Sequence, residues 1–301
     1  MLAEAALRPD RQYGQHFLID GNLMRLLVAE ADLKGSDTVL EVGPGVGNLT
    51  ELLLAQAGHV VAVEVDPALA EIARARLEGA ANLDLLVTDI LADKRHIAAA
   101  VLEALASRQQ ALGGAVKLVA NLPYAAATPL VAELVKRQPP PERLVFTVQQ
   151  EVAARLAAEP GTREYGAVGV LVQALADVEV LRRLAPSVFW PRPKVWSAMV
   201  RITPRAAKQR RIRNMAAFHK TVEGLFAHRR KRAARSLALY AGEKGEKKDC
   251  PLYGRGQSPF SPEAWAATLE AAGLDSQARG EAYSVEEIIR LANHFAGISS
   301  G

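Results

Sequence analysis

The sequence predicts an α/β fold, a mostly parallel sheet with helices on both faces, followed by a small C-terminal all-helical domain. Three observations carry that prediction. Between residues 38 and 150, short β-branched apolar runs alternate strictly with amphipathic helical stretches, the pattern of βαβ units. The first run ends in a glycine-rich turn, Gly43-Pro44-Gly45-Val46-Gly47. After Pro204 the strand-like runs cease, and basic residues at helical spacing replace them.

The strands are expected at Thr38–Val42, Val60–Val65, Leu83–Thr88, Lys117–Ala120 and Leu144–Val148. Between them Leu49–Gln56, Leu69–Leu77, Ile97–Ala106 and Pro129–Lys136 place apolar residues on one helical face. A helix at Glu151–Ala158 follows, then strand-like runs at Val168–Val172, Val178–Leu184 and Ala198–Ile202, close enough to pair antiparallel at one edge. Behind the boundary, helical patterns occupy Met215–Phe226, Arg230–Tyr240, Pro262–Ala272 and Val285–Phe295. The last opens with Ser284 followed by Glu286 and Glu287. The Gly/Lys/Pro-rich stretch from Ala241 to Pro262 reads as a loop. The expected domains are therefore residues 1–204 and 205–301.

Composition narrows the function. No run approaches the roughly 18 apolar residues of a membrane span, and the N-terminus lacks the basic and apolar regions of a signal peptide. Cys250 is the single cysteine, so no internal disulfide is possible and a cysteine-based zinc site is disfavoured. A soluble, cytoplasmic protein without a structural metal is expected. The net charge is only +4, but it is unevenly placed: Arg201–Arg235 holds twelve Lys/Arg against one acid, Glu223. So concentrated a positive field suits an anionic polymer. Within it Arg229, Arg230, Lys231 and Arg232 are candidate phosphate contacts.

The motifs sit at successive strand ends. Glu41-Val42-Gly43-Pro44-Gly45-Val46-Gly47 closes the first strand and opens a helix, where glycines let a ligand approach the backbone. A dinucleotide cradle needs GxGxxG, yet the third position is Asn48 counted from Gly43 and Thr50 counted from Gly45. The E-x-G-x-G-x-G form instead resembles the cofactor loop of class I (Rossmann-like) methyltransferases. Glu64, ending the second strand, can accept hydrogen bonds from both hydroxyls of an adenosyl ribose. Asp89, ending the third, can accept one from an adenine amino group. The fourth strand ends in Asn121-Leu122-Pro123-Tyr124, and this tetrapeptide resembles the catalytic motif of amino-group methyltransferases. An adenine amino nitrogen is a poor nucleophile because its lone pair is conjugated with the ring. The Asn121 side-chain oxygen and the Leu122 carbonyl can accept its two hydrogens, Pro123 converges those acceptors, and Tyr124 offers a stacking face for an extruded base.

With that motif the chain resembles the ribosomal RNA adenine N6,N6-dimethyltransferases, the kasugamycin-sensitivity and Dim-type family. Tyr13-Gly14-Gln15-His16-Phe17-Leu18 looks like that family's cofactor-lid segment. Ser187-Val188-Phe189-Trp190-Pro191-Arg192-Pro193-Lys194-Val195 resembles its (S/A)xFxPxPKV segment, and Arg163-Glu164-Tyr165-Gly166 its YG turn. The tail from Gly273 to Asn293 is similar to its C-terminal helical domain. The resemblance implies S-adenosylmethionine contacts at His16, Leu18, Gly43, Glu64, Asp89 and Asn121, with Phe189 packed beside the target base. It also implies a substrate of two neighbouring adenines near the 3′ end of small-subunit ribosomal RNA, met on an immature 30S-type subunit by a monomeric enzyme. Departures from the family pattern are His16 where Asn is common, Ala125-Ala126-Ala127 where a polar stretch is usual, Trp196 in place of Asp, and an apparent insertion at 241–262.

Two alternatives remain open. A large-subunit adenine methylase of the macrolide-resistance type shares the fold and motif, and the full-length tail counts against it. A catalytically idle RNA-binding assembly factor would have no need of Glu64, Asp89 and the tetrapeptide together.

Overall fold

The structure is a computed structural model and describes residues 15–93, 96–243 and 261–298. The chain begins there with a short strand β1 (Phe17–Leu18) and helix α1 (Gly21–Glu30). It continues through β2 (Thr38–Val42), α2 (Asn48–Leu54), β3 (His59–Glu64), α3 (Pro67–Arg76), β4 (Leu83–Val87), α4 (Ala99–Leu112), β5 (Val116–Asn121), α5 (Tyr124–Lys136) and β6 (Arg143–Gln149). Next come α6 (Gln150–Leu156), α7 (Ala167–Leu175), β7 (Ala176–Leu184), β8 (Phe189–Trp190), β9 (Ser197–Pro204), α8 (Ala206–Gln209) and α9 (Met215–Ala227). The last helices are α10 (Ala233–Glu243), α11 (Pro262–Ala271) and α12 (Val285–Ile298).

Seven strands form one sheet in the order β4-β3-β2-β5-β6-β9-β7. The five strands β4 to β6 are parallel, and β9 joins β6 antiparallel. Adjacent residues of opposite pleat are buried together, as in Val39 with Leu40, Val60 with Val61, and Val145 with Phe146. Both faces are therefore covered, as a parallel sheet requires. One face packs Leu23, Leu27 and Val28 of α1 and Leu49 and Leu53 of α2 against Val39, Val60, Val119 and Val145. The order reverses at β2, between β3 and β5, and in open α/β sheets ligands bind beyond the strand carboxyl ends at that switch. At the opposite end, fully buried Lys117 ties β5 to the residue before β2: its Nζ lies 2.8 Å from Asp37 and donates to the Asp32 carbonyl at 2.6 Å.

The described residues form two compact units. One holds the residues up to Ala153 together with Asp177–Pro204, and the other holds Ala154–Ala176 together with the residues from Arg205 onward. The expected boundary at 204 thus misplaces Ala154–Ala176. The cause is α7: its Val168, Val170 and Val172 alternate like a strand, yet the segment is helical and packs against α9 and α12 of the second unit. β-propensity is readily overridden by tertiary packing. Helix α5 also starts at Tyr124, five residues before the expected Pro129, which lies inside it. The expected helix start at Ser284 forms as a capping box, with the Ser284 hydroxyl accepting from Glu287 N–H at 3.2 Å and the Glu287 carboxylate accepting from Ser284 N–H at 2.8 Å. Most of the 241–262 loop, with Cys250, lies outside the described residues.

Candidate active site

A pocket opens at the carboxyl ends of β2, β3, β4 and β5, lined among others by Gly43, Glu64, Asp89, Asn121, Leu122, Pro123 and Tyr124. These residues, up to 81 positions apart in sequence, meet because parallel strands in register bring their ends to one edge. His16 and Phe17 close a further side. Two of the residues expected beside the cofactor or the target base do not line the pocket.

The exceptions are Leu18 and Phe189. β1 and β8 pair antiparallel, Phe17 opposite Trp190 and Leu18 opposite Phe189. Successive strand residues face opposite sides. Leu18 and Phe189 therefore turn into the core, at 5% and 2% exposure, and neither side chain lines the pocket. Phe17 and Trp190 take the other side, their rings 6.3 Å apart and nearly parallel. Of the segment's beginning, Tyr13 and Gly14 lie outside the described residues.

The glycine turn is tightly engaged. Gly43 has φ +72°, and a Cβ there would meet the Pro123 ring at 3.4 Å. Gly45 has φ +58°, and its Cβ would lie 2.7 Å from the Phe17 ring. Crowding thus excludes a side chain at Gly45, and the left-handed φ disfavours one at Gly43. Glu64 is 4% exposed, and its carboxylate accepts from Gly45 N–H at 3.0 Å and from Asp66 N–H at 3.1 Å. Burial pushes its carboxyl above the usual carboxylate range, against the pull of these amides. Each oxygen has used one lone pair, leaving acceptor capacity for a ligand's hydroxyls. Asp89 accepts from Leu91 N–H at 2.9 Å in a local turn at the end of β4. A buried acceptor, an exposed one and a glycine cradle at successive strand ends fit an adenosyl cofactor.

Asn121 is held at three points. Its Nδ2 donates to the His16 carbonyl at 2.7 Å, its Oδ1 accepts from the Thr147 hydroxyl at 2.5 Å, and its Cα pairs with that of Thr147. Opposing partners at the two ends fix which way the amide points. The Thr147 carbonyl also accepts from Leu122 N–H at 3.1 Å. Thr147, 1% exposed, went unnoticed in the sequence because one threonine in a buried strand carries no pattern. His16 donates its Nδ1–H to the Pro191 carbonyl at 2.7 Å, since a carbonyl only accepts. The His16 ring lies 5.4 Å from that of Tyr124. Tyr124 is half-buried, its hydroxyl 3.3 Å from that of Ser197, and burial raises its pKa above the ordinary phenol value.

The basic segment is divided. Within the second unit, Arg229 pairs with Glu281 at 3.0 Å and donates to the Arg163 carbonyl, and Arg232 donates to Gln277. Arg230 and Lys231 are exposed.

The sequence model of the family described as ribosomal RNA adenine dimethylase matches residues 7–249. A "Ribosomal RNA small subunit methyltransferase A" from Pelotomaculum thermopropionicum is 39% identical over 96% of this chain and 92% of its own length. One of the same name from Streptomyces griseus is 37% identical over 100% of this chain and 94% of its own. Among solved structures, a dimethyladenosine transferase from Plasmodium falciparum is similar with a TM-score of 0.69 at 21% identity, covering 91% of this chain and 95% of that one. The 23S rRNA methyltransferase ErmE is similar with a TM-score of 0.59 at 24% identity, covering 93% and 99%. Both likenesses run nearly the full length of this chain, so the helical tail does not by fold set it apart from a 23S rRNA methyltransferase. No helix among the described residues is long and apolar enough to cross a membrane. On the family match and the near full-length identity, the chain belongs to the ribosomal RNA adenine dimethylase family and is an S-adenosylmethionine-dependent methyltransferase.

Proposed function

We propose that this chain, acting as a monomer in the cytoplasm, dimethylates two adjacent adenines near the 3′ end of small-subunit ribosomal RNA on an immature subunit. The clamped Asn121 at the mouth of a pocket that also holds Glu64 is the observation that carries the chemistry. The small-subunit assignment follows the names of the curated relatives.

S-adenosylmethionine, when bound, supplies the methyl group. Glu64 accepts from the two ribose hydroxyls, Asp89 from the adenine amino group, and the Gly43–Gly47 turn lets the backbone pass close beneath. The target base enters beside Tyr124 and stacks on its open face. Asn121 Oδ1, with one lone pair taken by Thr147, uses the other for one hydrogen of the amino group, and the Leu122 carbonyl takes the second. Drawing both hydrogens out of the base plane returns the nitrogen lone pair to the nitrogen. Because Thr147 and His16 already hold the amide, little reorganisation is needed during transfer. Arg230 and Lys231 contact phosphates; Arg229 and Arg232 do so only on leaving Glu281 and Gln277.

The test is single-turnover methyl transfer from labelled cofactor to immature small subunits and, separately, to large-subunit precursors. Label is expected on adenines of the small subunit. Asn121→Ala is expected to slow transfer about a hundredfold, the scale for one preorganised polar group, with RNA affinity nearly unchanged because phosphate contacts dominate it. Transfer to the large subunit alone would favour the macrolide-resistance reading. Wild-type speed in Asn121→Ala would remove the mechanism.

A further inference from the structure

Trp196 stands just outside the pocket with 47% of its surface exposed, and the family-wide chemistry described above gives it no part. Its backbone is held in place. Its carbonyl accepts from Gln150 N–H at 2.9 Å, and it precedes Ser197, the first residue of β9, whose hydroxyl is 3.3 Å from that of Tyr124. Ser197 pairs with Gln149, the last residue of β6. The main chain at Trp196 is therefore fixed at the same edge of the sheet as the pocket, one residue from a partner of Tyr124.

A cation covers the ring. The Arg183 guanidinium carbon lies 5.0 Å from the Trp196 ring centroid, within the range of a cation–π contact. Arg183 is itself tethered to the Gln150 side chain at 3.1 Å. Arg183 takes one face of the indole while nearly half of the residue stays open to solvent. From Val180 to Trp196 the chain carries Arg182, Arg183, Arg192 and Lys194 and no acid, and all four cations are exposed. An exposed aromatic ring paired with a cation, on a segment whose other charges are all basic, is the chemistry that holds unpaired nucleic acid: the ring stacks a base and cations meet phosphates.

We infer that Trp196, backed by Arg183, is a stacking platform for an unpaired nucleobase flanking the target adenine. It would hold the RNA strand beside the pocket while Tyr124 receives the base to be methylated. This inference rests on the proposed RNA substrate for its setting, but stacking itself requires only unpaired RNA.

The probe is a short unpaired oligoribonucleotide with two adjacent adenines, and a second version with one flanking base replaced by an abasic residue. Binding is followed by tryptophan fluorescence; Trp265 is fully buried and Trp190 partly so, which leaves Trp196 as the exposed reporter. Quenching by the first RNA is expected, with Trp196→Ala binding it about tenfold to a hundredfold more weakly, the range for one lost base stack. Trp196→Phe should retain most of the affinity while losing the quench, which separates stacking from misfolding. The abasic RNA should bind wild type as weakly as the intact RNA binds Trp196→Ala, with little further loss when the two changes are combined. With immature subunits as substrate, KM should rise in Trp196→Ala and kcat hold. Equal RNA affinity in Trp196→Ala, or RNA binding without quenching, would overturn the inference. So would quenching that follows protein concentration without RNA, which would assign the ring to self-association. A wild-type protein that methylates only large-subunit RNA would sink the proposed substrate and leave the oligonucleotide comparison intact.

Discussion

The orientation of Asn121 depends on Thr147, whose hydroxyl bonds its Oδ1 and whose carbonyl bonds Leu122 N–H. Valine matches threonine in shape but lacks the donor, so Thr147→Val leaves the amide tied only through Nδ2. One neutral hydrogen bond contributes about 0.5–1.5 kcal/mol, so kcat should fall up to about tenfold while RNA and cofactor affinities stay level. Thr147→Ser should restore the rate, as single-turnover assays will show; a fully active Thr147→Val would make Thr147 a bystander. Glu41 answers to a different force. It is 1% exposed, its Oε2 has no hydrogen-bond partner among the described residues, and burial, opposed by a hydrogen bond with Thr50 and aided by the nearby Glu64 charge, pushes its carboxyl from 4.5 to about 8. Between those values the folded chain keeps a proton that the unfolded chain has released. Stability should therefore fall as pH rises through that window, by about 1.4 kcal/mol per pH unit, and level off above it. Denaturant unfolding of Glu41→Gln, which cannot ionise, should lack this slope. An unchanged slope would mean that Glu41 is ionised in the folded protein. At this scale the sequence named the residues that line strand ends, because the strand pattern dictates where they lie. It could not name Thr147, whose partner Asn121 is 26 positions away in the chain, or the burial of Glu41, which the packing of the whole sheet decides.

Among the elements, the two-residue pair β1–β8 does more than its length suggests. It directs Leu18 and Phe189 into the core and lays Phe17 on Gly45, where a Cβ would come within 2.7 Å of the ring. Gly45→Ala should push the Phe17 segment off the glycine turn and disturb the amide that donates to Glu64. Calorimetry should then show cofactor affinity reduced about tenfold, the loss of one charge-assisted hydrogen bond of about 1.5 kcal/mol. Phe17→Ala in the same chain should recover part of it by clearing the clash. The remainder belongs to the left-handed φ of +58°, which costs a non-glycine residue about 1–2 kcal/mol. If the double variant binds no better than Gly45→Ala, strain alone accounts for the effect. The side chains of Leu18 and Phe189, expected at the site, face the core, while those of their strand neighbours do not. Motif letters mark the strand, but its pleat decides which letter faces the ligand, and a strand of two residues offers no periodicity from which to read it. α7 failed for a related reason: its valines alternate, but its packing partners lie in α9 and α12.

On the scale of the whole molecule, the chain crosses between its two units three times, at residues 153/154, 176/177 and 204/205. A boundary drawn once, after Pro204, follows the fall in strand pattern and the rise in basic charge, both of which are real. It misses that the stretch from Ala154 to Ala176 folds with what comes later. Within that stretch Val170, Val172 and Leu175 of α7 are fully buried, and so is Tyr165, whose hydroxyl donates to the Tyr283 carbonyl at 3.0 Å and whose ring meets that of Phe226 edge-on at 5.8 Å. A fragment ending at residue 204 would strand all four. Exposing a large apolar side chain costs about 1.5–3 kcal/mol, and a natural domain has only about 5–15 kcal/mol in all. The 1–204 fragment is therefore expected to aggregate or unfold at low denaturant. A second fragment with residues 154–176 replaced by a short Gly/Ser linker should remain soluble and melt cooperatively, because β6 and β7 keep their places in the sheet. It should also retain cofactor binding, since every pocket residue named above precedes residue 154. If the plain 1–204 fragment proves as soluble and as cooperative as the linker version, α7 belongs with the sheet after all, and the single boundary stands.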